Sequence, residues 1–318
     1  MTGSSLPVLM ALRQGMYQSR SAAFSQNLAY INSVGNAVIK VDNKTVGLNA
    51  AYGRASVRIS SKTTVKEGSL ILMEARHVPY GCSVWPAFWT QGTNWPSNGE
   101  IDIFEGVNVV TSNTYTLHTL NGCIHPGNSS AETGIVTTTD CFNATNGNSG
   151  CSVREMTDKS YGEGFACIGG GAFATLWNTA GISTWFFPNG SIPSDFYGSS
   201  PNPASWGTPS AYWPSTSCNT TKFFGPQTMI FDITLCGNYA GATSVFDQTC
   251  YGVCTDLIMT PTHYDNAYFE IVSVRTYSDG SDTAKTGAAL GGASRMFVEV
   301  WKTIGIPLAS ILLVFILA

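Results

Sequence analysis

This sequence predicts an all-β fold, a single large sandwich of short strands. Three observations lead there. Charged residues make up only 11% of the chain, aromatics 12%, and there are 33 glycines, a balance suited to strands and turns rather than helical bundles. Apolar and polar residues alternate along Ser56–Ile59, Thr114–Thr119 and Phe269–Tyr277, the period of half-buried strands. With 318 residues, the chain is long enough for one such domain plus tails. The net charge of −4 comes without a basic patch, which argues against nucleic acid as a partner. Gly169–Gly171 lies between Cys167 and a strand-like run and reads as a turn, not a phosphate-binding loop.

The most informative strand is Glu100–Glu105, E-I-D-I-F-E. Ile101, Ile103 and Phe104 give it the β-branched and aromatic content of a buried strand. Carboxylates are rare there, because a buried unpaired acid is costly or becomes protonated. Side chains alternate along a strand, so Glu100 and Asp102 share one face and Glu105 falls on the other. One β-bulge after Asp102 would return Glu105 to the same face. Three acids so close cannot all ionise freely, so at least one pKa should rise, as a general acid requires. The competing reading is a ladder of solvated acids on an exposed edge strand. Trp85, Phe88, Trp89 and Trp95 just upstream weigh against it, since sugar rings stack their C–H faces on indoles; at least one of the four is expected to be core.

The run Ser83–Asn108, S-V-W-P-A-F-W-T-Q-G-T-N-W-P-S-N-G-E-I-D-I-F-E-G-V-N, resembles the signature of glycoside hydrolase family 16, in particular the fungal endo-1,3(4)-β-glucanases of laminarinase type. Ala55–Lys62, Thr116–Thr119, Trp185–Pro193, Phe231–Gly241 and Tyr264–Tyr277 continue the resemblance in order, across roughly residues 19 to 278. It implies a concanavalin-like jelly roll of two antiparallel sheets, whose concave face forms a substrate cleft open at both ends. It also implies endo-acting, retaining hydrolysis of β-1,3- and mixed β-1,3/1,4-glucans. Glu100 would be the nucleophile, Glu105 the acid/base, and Asp102 would hydrogen-bond the nucleophile and tune both glutamates. The extra residue between Asp102 and Glu105 goes with laminarinase-like members; plant xyloglucan enzymes, lichenases and many fungal wall transglycosylases tend to carry a shorter E-x-D-x-E.

For substrate contacts the resemblance points to Trp85, Trp89, Trp95, Asn238 and Tyr239. It places His118 beside the acid/base and Arg58 within reach of the sugar or the nucleophile. Relatives commonly carry tryptophan where this chain has Tyr239, a smaller face with a polar tip. No metal and no dissociable cofactor are expected, since the carboxylates suffice for the chemistry, and the partner expected is β-glucan with the protein a monomer. Two other functions stay open: a wall transglycosylase passing the same glycosyl-enzyme to a sugar hydroxyl, and a β-glucan-binding protein without catalysis.

None of the nine cysteines forms a C-x-x-C zinc pair, so disulfides in an oxidising compartment are expected, with one thiol left over and connectivity open. Sequons at Asn43, Asn128, Asn143, Asn189 and Asn219 fit export. The expected organisation is an atypical start over 1–18, the catalytic domain over 19–278, a flexible linker over 279–302 and an apolar tail over 303–318. Small residues at Gly291–Ser294, a spacer and that tail form the pattern of a GPI-attachment signal or a short membrane anchor, so a cell-surface or wall location is expected. Leu6–Leu12 contains Pro7 and lacks a preceding basic residue, which is not the pattern of a secretory signal; a truncated start, missing an outer strand, is the expectation.

Overall fold

The computed structural model describes residues 15–49, 52–127, 130–279 and 315–317. Two antiparallel sheets face each other. In spatial order the first contains Ile135–Val136, Cys151–Arg154, Thr114–His118, Glu100–Glu105, Val84–Gly92, Gln227–Leu235 and Arg58–Val65, with Phe315–Leu317 on its last edge. The second contains Ala211–Pro214, Gly181–Pro188, Gly171–Asn178, Ser69–His77, Tyr268–Ser278, Ala37–Lys40 and Ala29–Ile31. The carboxylate strand is therefore central, hydrogen-bonded on both sides, and not the solvated edge strand of the competing reading.

The sheets are joined by apolar residues at alternate positions. Phe88, Ile101, Leu117, Phe231 and Ile233 from the first sheet pack against Ile71, Met73, Phe173, Trp177 and Phe269 from the second in one core. Phe104 sits in the middle, with its ring 5.5 Å from Phe173 and 5.7 Å from Phe269, both edge-on. The second sheet is buried on its other face as well. Leu70, Leu72, Ala172, Ala174, Trp185 and Phe187 lie there under Phe196 and Trp206. This explains why Ser69–His77 reads as a nearly continuous apolar run.

Two strand boundaries differ from the alternation. Ser56–Ile59 is not one strand: Arg54–Ser56 pairs in parallel with Gly15–Tyr17, and a new strand begins at Arg58. The cause is a change of partner at Val57, whose carbonyl accepts Ile233 N–H (3.2 Å) while Ser56 Oγ donates to Ile233 C=O. Thr119 falls just beyond its strand and bridges Phe142 instead.

Four disulfides, Cys82–Cys250, Cys123–Cys218, Cys141–Cys151 and Cys236–Cys254, leave Cys167 free and exposed. Two of them build the cleft walls. Cys236–Cys254 closes the loop that carries Asn238 and Tyr239, and Cys141–Cys151 closes the one that carries Asn148. No helix among the described residues is long and apolar enough to cross a membrane. The expected linker beyond Asp279, most of the apolar tail, residues 1–14 and Asn128 of its sequon lie outside the described residues.

Candidate active site

The bulge expected after Asp102 is present. Against Val84–Gly92 the pairs run Gln91↔Glu100, Thr90↔Ile101 and Trp89↔Asp102, then step to Phe88↔Phe104 and Ala87↔Glu105, which leaves Ile103 as the extra residue. Consecutive Ile103 and Phe104 both enter the core, 1% and 0% exposed. Burying two neighbouring apolar side chains on one face is what displaces the alternation and brings Glu105 round to join Glu100 and Asp102.

All three carboxyls line a cleft of about 1080 Å³ over the first sheet, and so do Arg58, Trp85, Trp89, Trp95, His118, Asn238 and Tyr239. Each glutamate is held by an indole. Trp85 Nε1 donates to Glu105 Oε1 at 2.8 Å, and Trp95 Nε1 donates to Glu100 Oε2. Of the four upstream aromatics, Phe88 is the core residue, stacked 4.2 Å from Phe231. Tyr239 stands edge-on to Trp85, ring centres 5.4 Å apart, on a turn where Gly237 has φ +71° and a Cβ would meet the Trp85 ring at 3.2 Å. Only glycine lets the turn lie that close to the indole.

Burial pushes the Glu100, Asp102 and Glu105 carboxyls up to about 8. Repulsion from Asp102 adds to the rise at both glutamates, while the indole donors and His118 oppose it. A hydrogen bond from Glu100 favours the charged form of Asp102. The cluster titrates as a unit, and near neutrality it retains protons among its three carboxyls. Tyr239 is pushed up to about 12 by burial and by the charges of Glu105 and Asp102.

One placement differs from the resemblance, and a second, in the cleft wall as expected, has a partner the sequence did not show. His118 lies at the Glu100 end: it is the cross-strand partner of Glu100, its Nε2 is 3.4 Å from Asp102 Oδ2, and its Nδ1 is 3.1 Å from Asn148 Oδ1. Arg58 pairs with Asp232 Oδ2 at 2.8 Å and lies 4.9 Å over the Trp89 ring, so its charge is spent on a carboxylate that the sequence reading did not single out. Asp232 is 5% exposed, lines the cleft, and raises both Asp102 and Glu105. The only hint of it in sequence was its position inside the strand-like run beginning at Phe231. Past the carboxylates the cleft continues over Thr114, Thr116, Ser152 and Arg154, a polar wall in place of indoles.

Glu100, Asp102 and His118 each offer a ligand atom within 4.8 Å of the others, a donor set that a divalent cation could use. The Cys123, Cys141 and Cys151 cluster offers none, because all three sulfurs are in disulfides.

The family model described as the XgeA-like, catalytic GH16 domain matches residues 14–277. A probable glycosidase of Schizosaccharomyces pombe is 41% identical over 82% of this chain and 62% of its own length. An endo-1,3(4)-β-glucanase of Arthroderma benhamiae is 37% identical over 86% of this chain and 61% of its own length. The chain thus spans about three fifths of these relatives. Among solved structures, laminarinase 16A of Phanerochaete chrysosporium, with 6-O-glucosyl-laminaritriose in donor and acceptor sites, is similar at 36% identity and TM-score 0.79, covering 84% of this chain and 91% of that one. An elongating GH family 16 β-1,3-glucosyltransferase is similar at 34% identity and TM-score 0.75, covering 81% and 89%.

Proposed function

We propose, from the premise that this chain belongs to glycoside hydrolase family 16 and its XgeA-like group, that it is an endo-acting retaining β-glucanase cleaving β-1,3- and mixed β-1,3/1,4-glucans. The observation that carries the reading is the Ile103 bulge, which gathers Glu100, Asp102 and Glu105 on one wall of a tryptophan-lined cleft. Laminarinase 16A, similar over most of this chain, supports the substrate class.

The chemistry follows from the two ends of the cluster. Glu100, with His118 across the strand, Trp95 donating to it and a proton-sharing neighbour in Asp102, attacks the anomeric carbon as the anion. The bond from that carbon to the glycosidic oxygen breaks, and the oxygen takes the proton of Glu105. Burial and the charge of Asp102 keep that proton in place near neutrality. Asp102 holds a proton in common with Glu100 and keeps it as Glu100 attacks, so that the nucleophile is ionised while its oxygen bonds to the anomeric carbon, and shares it again when Glu100 is released. In the second half Glu105, now ionised, takes a proton from water, whose oxygen attacks the anomeric carbon and releases Glu100.

A second reading is transfer, in which a sugar hydroxyl replaces that water. The similarity to an elongating GH family 16 β-1,3-glucosyltransferase supports it, and Thr114 and Arg154 line the cleft beyond the carboxylates as polar groups for an acceptor chain. Four disulfides and the exposed sequon asparagines Asn189 and Asn219 support action outside the cell. The small residues of Gly291–Ser294 and the apolar run over 303–318 support a tether, either a GPI anchor attached as that run is removed or the run itself as a short membrane tail.

The test is product analysis on laminarin and barley β-glucan with the parent and Glu100→Ser. Shorter oligosaccharides from the parent and none from the variant are expected. Products longer than an added acceptor would favour transfer, and retained binding without turnover would leave a recognition protein.

A further inference from the structure

We infer that Asn113 is a positioning residue for Glu105, its side-chain amide clamping the bulge that turns this carboxyl into the cleft; the inference rests on reading Glu105 as the acid/base. The neighbouring strand pairs Glu100↔His118, Ile101↔Leu117 and Asp102↔Thr116, and the ladder then stops. On that side the backbone of Ile103 and Glu105 has no strand partner, yet buried peptide groups must be satisfied. Asn113, one residue before that strand, supplies both bonds. Its Oδ1 accepts Glu105 N–H at 2.8 Å, and its Nδ2 donates to Ile103 C=O at 3.1 Å.

The two bonded groups are the carbonyl of the bulged residue itself and the amide two residues on, on either side of Phe104. Asn113 itself is 0% exposed, and its own backbone is fixed: N–H donates to Ser160 Oγ at 2.9 Å, and C=O accepts from Glu155 N–H at 2.9 Å. Only a carboxamide both accepts and donates at this reach. Aspartate keeps the acceptor and loses the donor, and alanine loses both. From the core side the bulge is held by Tyr161, stacked 5.5 Å from Phe104 and so close to Gly106 that a Cβ there would meet its ring at 2.4 Å.

The consequence is selective. Glu100 and Asp102 are held by three ladder pairs that do not involve Asn113, whereas Glu105 keeps its place only while the bulge persists. If the clamp is removed, the orphaned groups regain partners by sliding toward regular pairing, and a one-residue slip turns Glu105 to the other face. The nucleophile stays and the acid/base leaves.

Asn113→Ala and Asn113→Asp are therefore compared with Glu105→Ala on laminari-oligosaccharides and on 2,4-dinitrophenyl β-laminaribioside, whose leaving group needs no proton. We expect kcat/KM on the oligosaccharides to fall on the order of 100-fold or more, the size of a lost general acid. On the dinitrophenyl glycoside we expect roughly a fivefold loss at most, with azide, which needs no general base, restoring turnover. Equal losses on both substrates, without azide rescue, would make Asn113 merely structural and overturn the inference if Glu105→Ala shows the selective pattern. If Glu105→Ala lacks that pattern, the reading of Glu105 fails first. Should the variants not fold, hydrogen exchange in the parent decides. The Glu105 amide should exchange as slowly as that of Ile101, and loop-like exchange would overturn the clamp.

Discussion

Trp85 donates its indole N–H to Glu105 across 2.8 Å, so an aromatic face that reads as a sugar platform also sets the ionisation of a carboxyl. A bond to the charged form lowers a carboxyl pKa, and at Glu105 it opposes the rise caused by burial and Asp102. Trp85→Phe keeps most of the face and removes the donor. The Glu105 pKa should then rise further. As Glu105 must be protonated to act as an acid, the alkaline limb of the kcat/KM profile should move to higher pH, by about 0.5–1 unit for a lost bond of ~1 kcal/mol. The pH–rate profile of Trp85→Phe checks this, and a shift to lower pH would contradict it.

Asp102 should destabilise the fold at high pH. Its carboxyl is raised to about 8 in the folded protein, so the folded state binds the proton more tightly than the unfolded chain does. That contribution is fully present below the ordinary carboxylate pKa and is lost as pH rises toward 8. Asp102→Asn, which cannot ionise, should therefore melt roughly 2–4 °C above the parent at pH 8. The gain should shrink to nothing near pH 4. Melting curves across that range check the sign; a gain that grows at low pH would contradict it.

Tyr239 meets Trp85 edge-on and is 38% exposed, so it presents a small face to the cleft. Tyr239→Trp should bind sugar better and raise kcat/KM about threefold, since stacking on a larger ring adds under ~1 kcal/mol. Assays on laminarin and on mixed-linkage glucan test this together. No change on either would show that the tyrosine is not a contact.

The Cys141–Cys151 bridge closes the loop whose Asn148 touches His118. Replacing both cysteines by serine should cost about 2–3 kcal/mol of stability, as expected for a short closed loop. It should also raise KM more than it lowers kcat, because the loop forms a wall and holds none of the three carboxyls. Cys167→Ser, at an exposed free thiol, should change stability by less than about 0.5 kcal/mol. Denaturant unfolding and steady-state kinetics on both variants separate the two effects.

Much of the site was legible because its signals are local. Two adjacent core residues, Ile103 and Phe104, between acids on one strand are enough to imply the bulge, and Trp85, Trp89 and Trp95 lie within sixteen residues of Glu100. The Arg58–Asp232 pair was not legible, since it joins residues 174 apart and depends on Arg58–Val65 pairing with Gln227–Leu235, distant in sequence. Asn113 gave no signal either: a buried asparagine before a strand looks like any loop residue until the end of a ladder leaves it two orphaned groups to satisfy. His118 landed at the Glu100 end because register, which sequence spacing does not fix, pairs it with Glu100. Disulfide partners were open for the same reason.

The division of labour between Glu100 and Glu105 is tested most directly by trapping the covalent intermediate. Incubation with a 2-deoxy-2-fluoro-β-laminaribiosyl fluoride, followed by peptide mass analysis, should place a single glycosyl adduct on Glu100. An adduct on Glu105 or Asp102, or an active enzyme that forms none and releases α-configured product, would contradict the account.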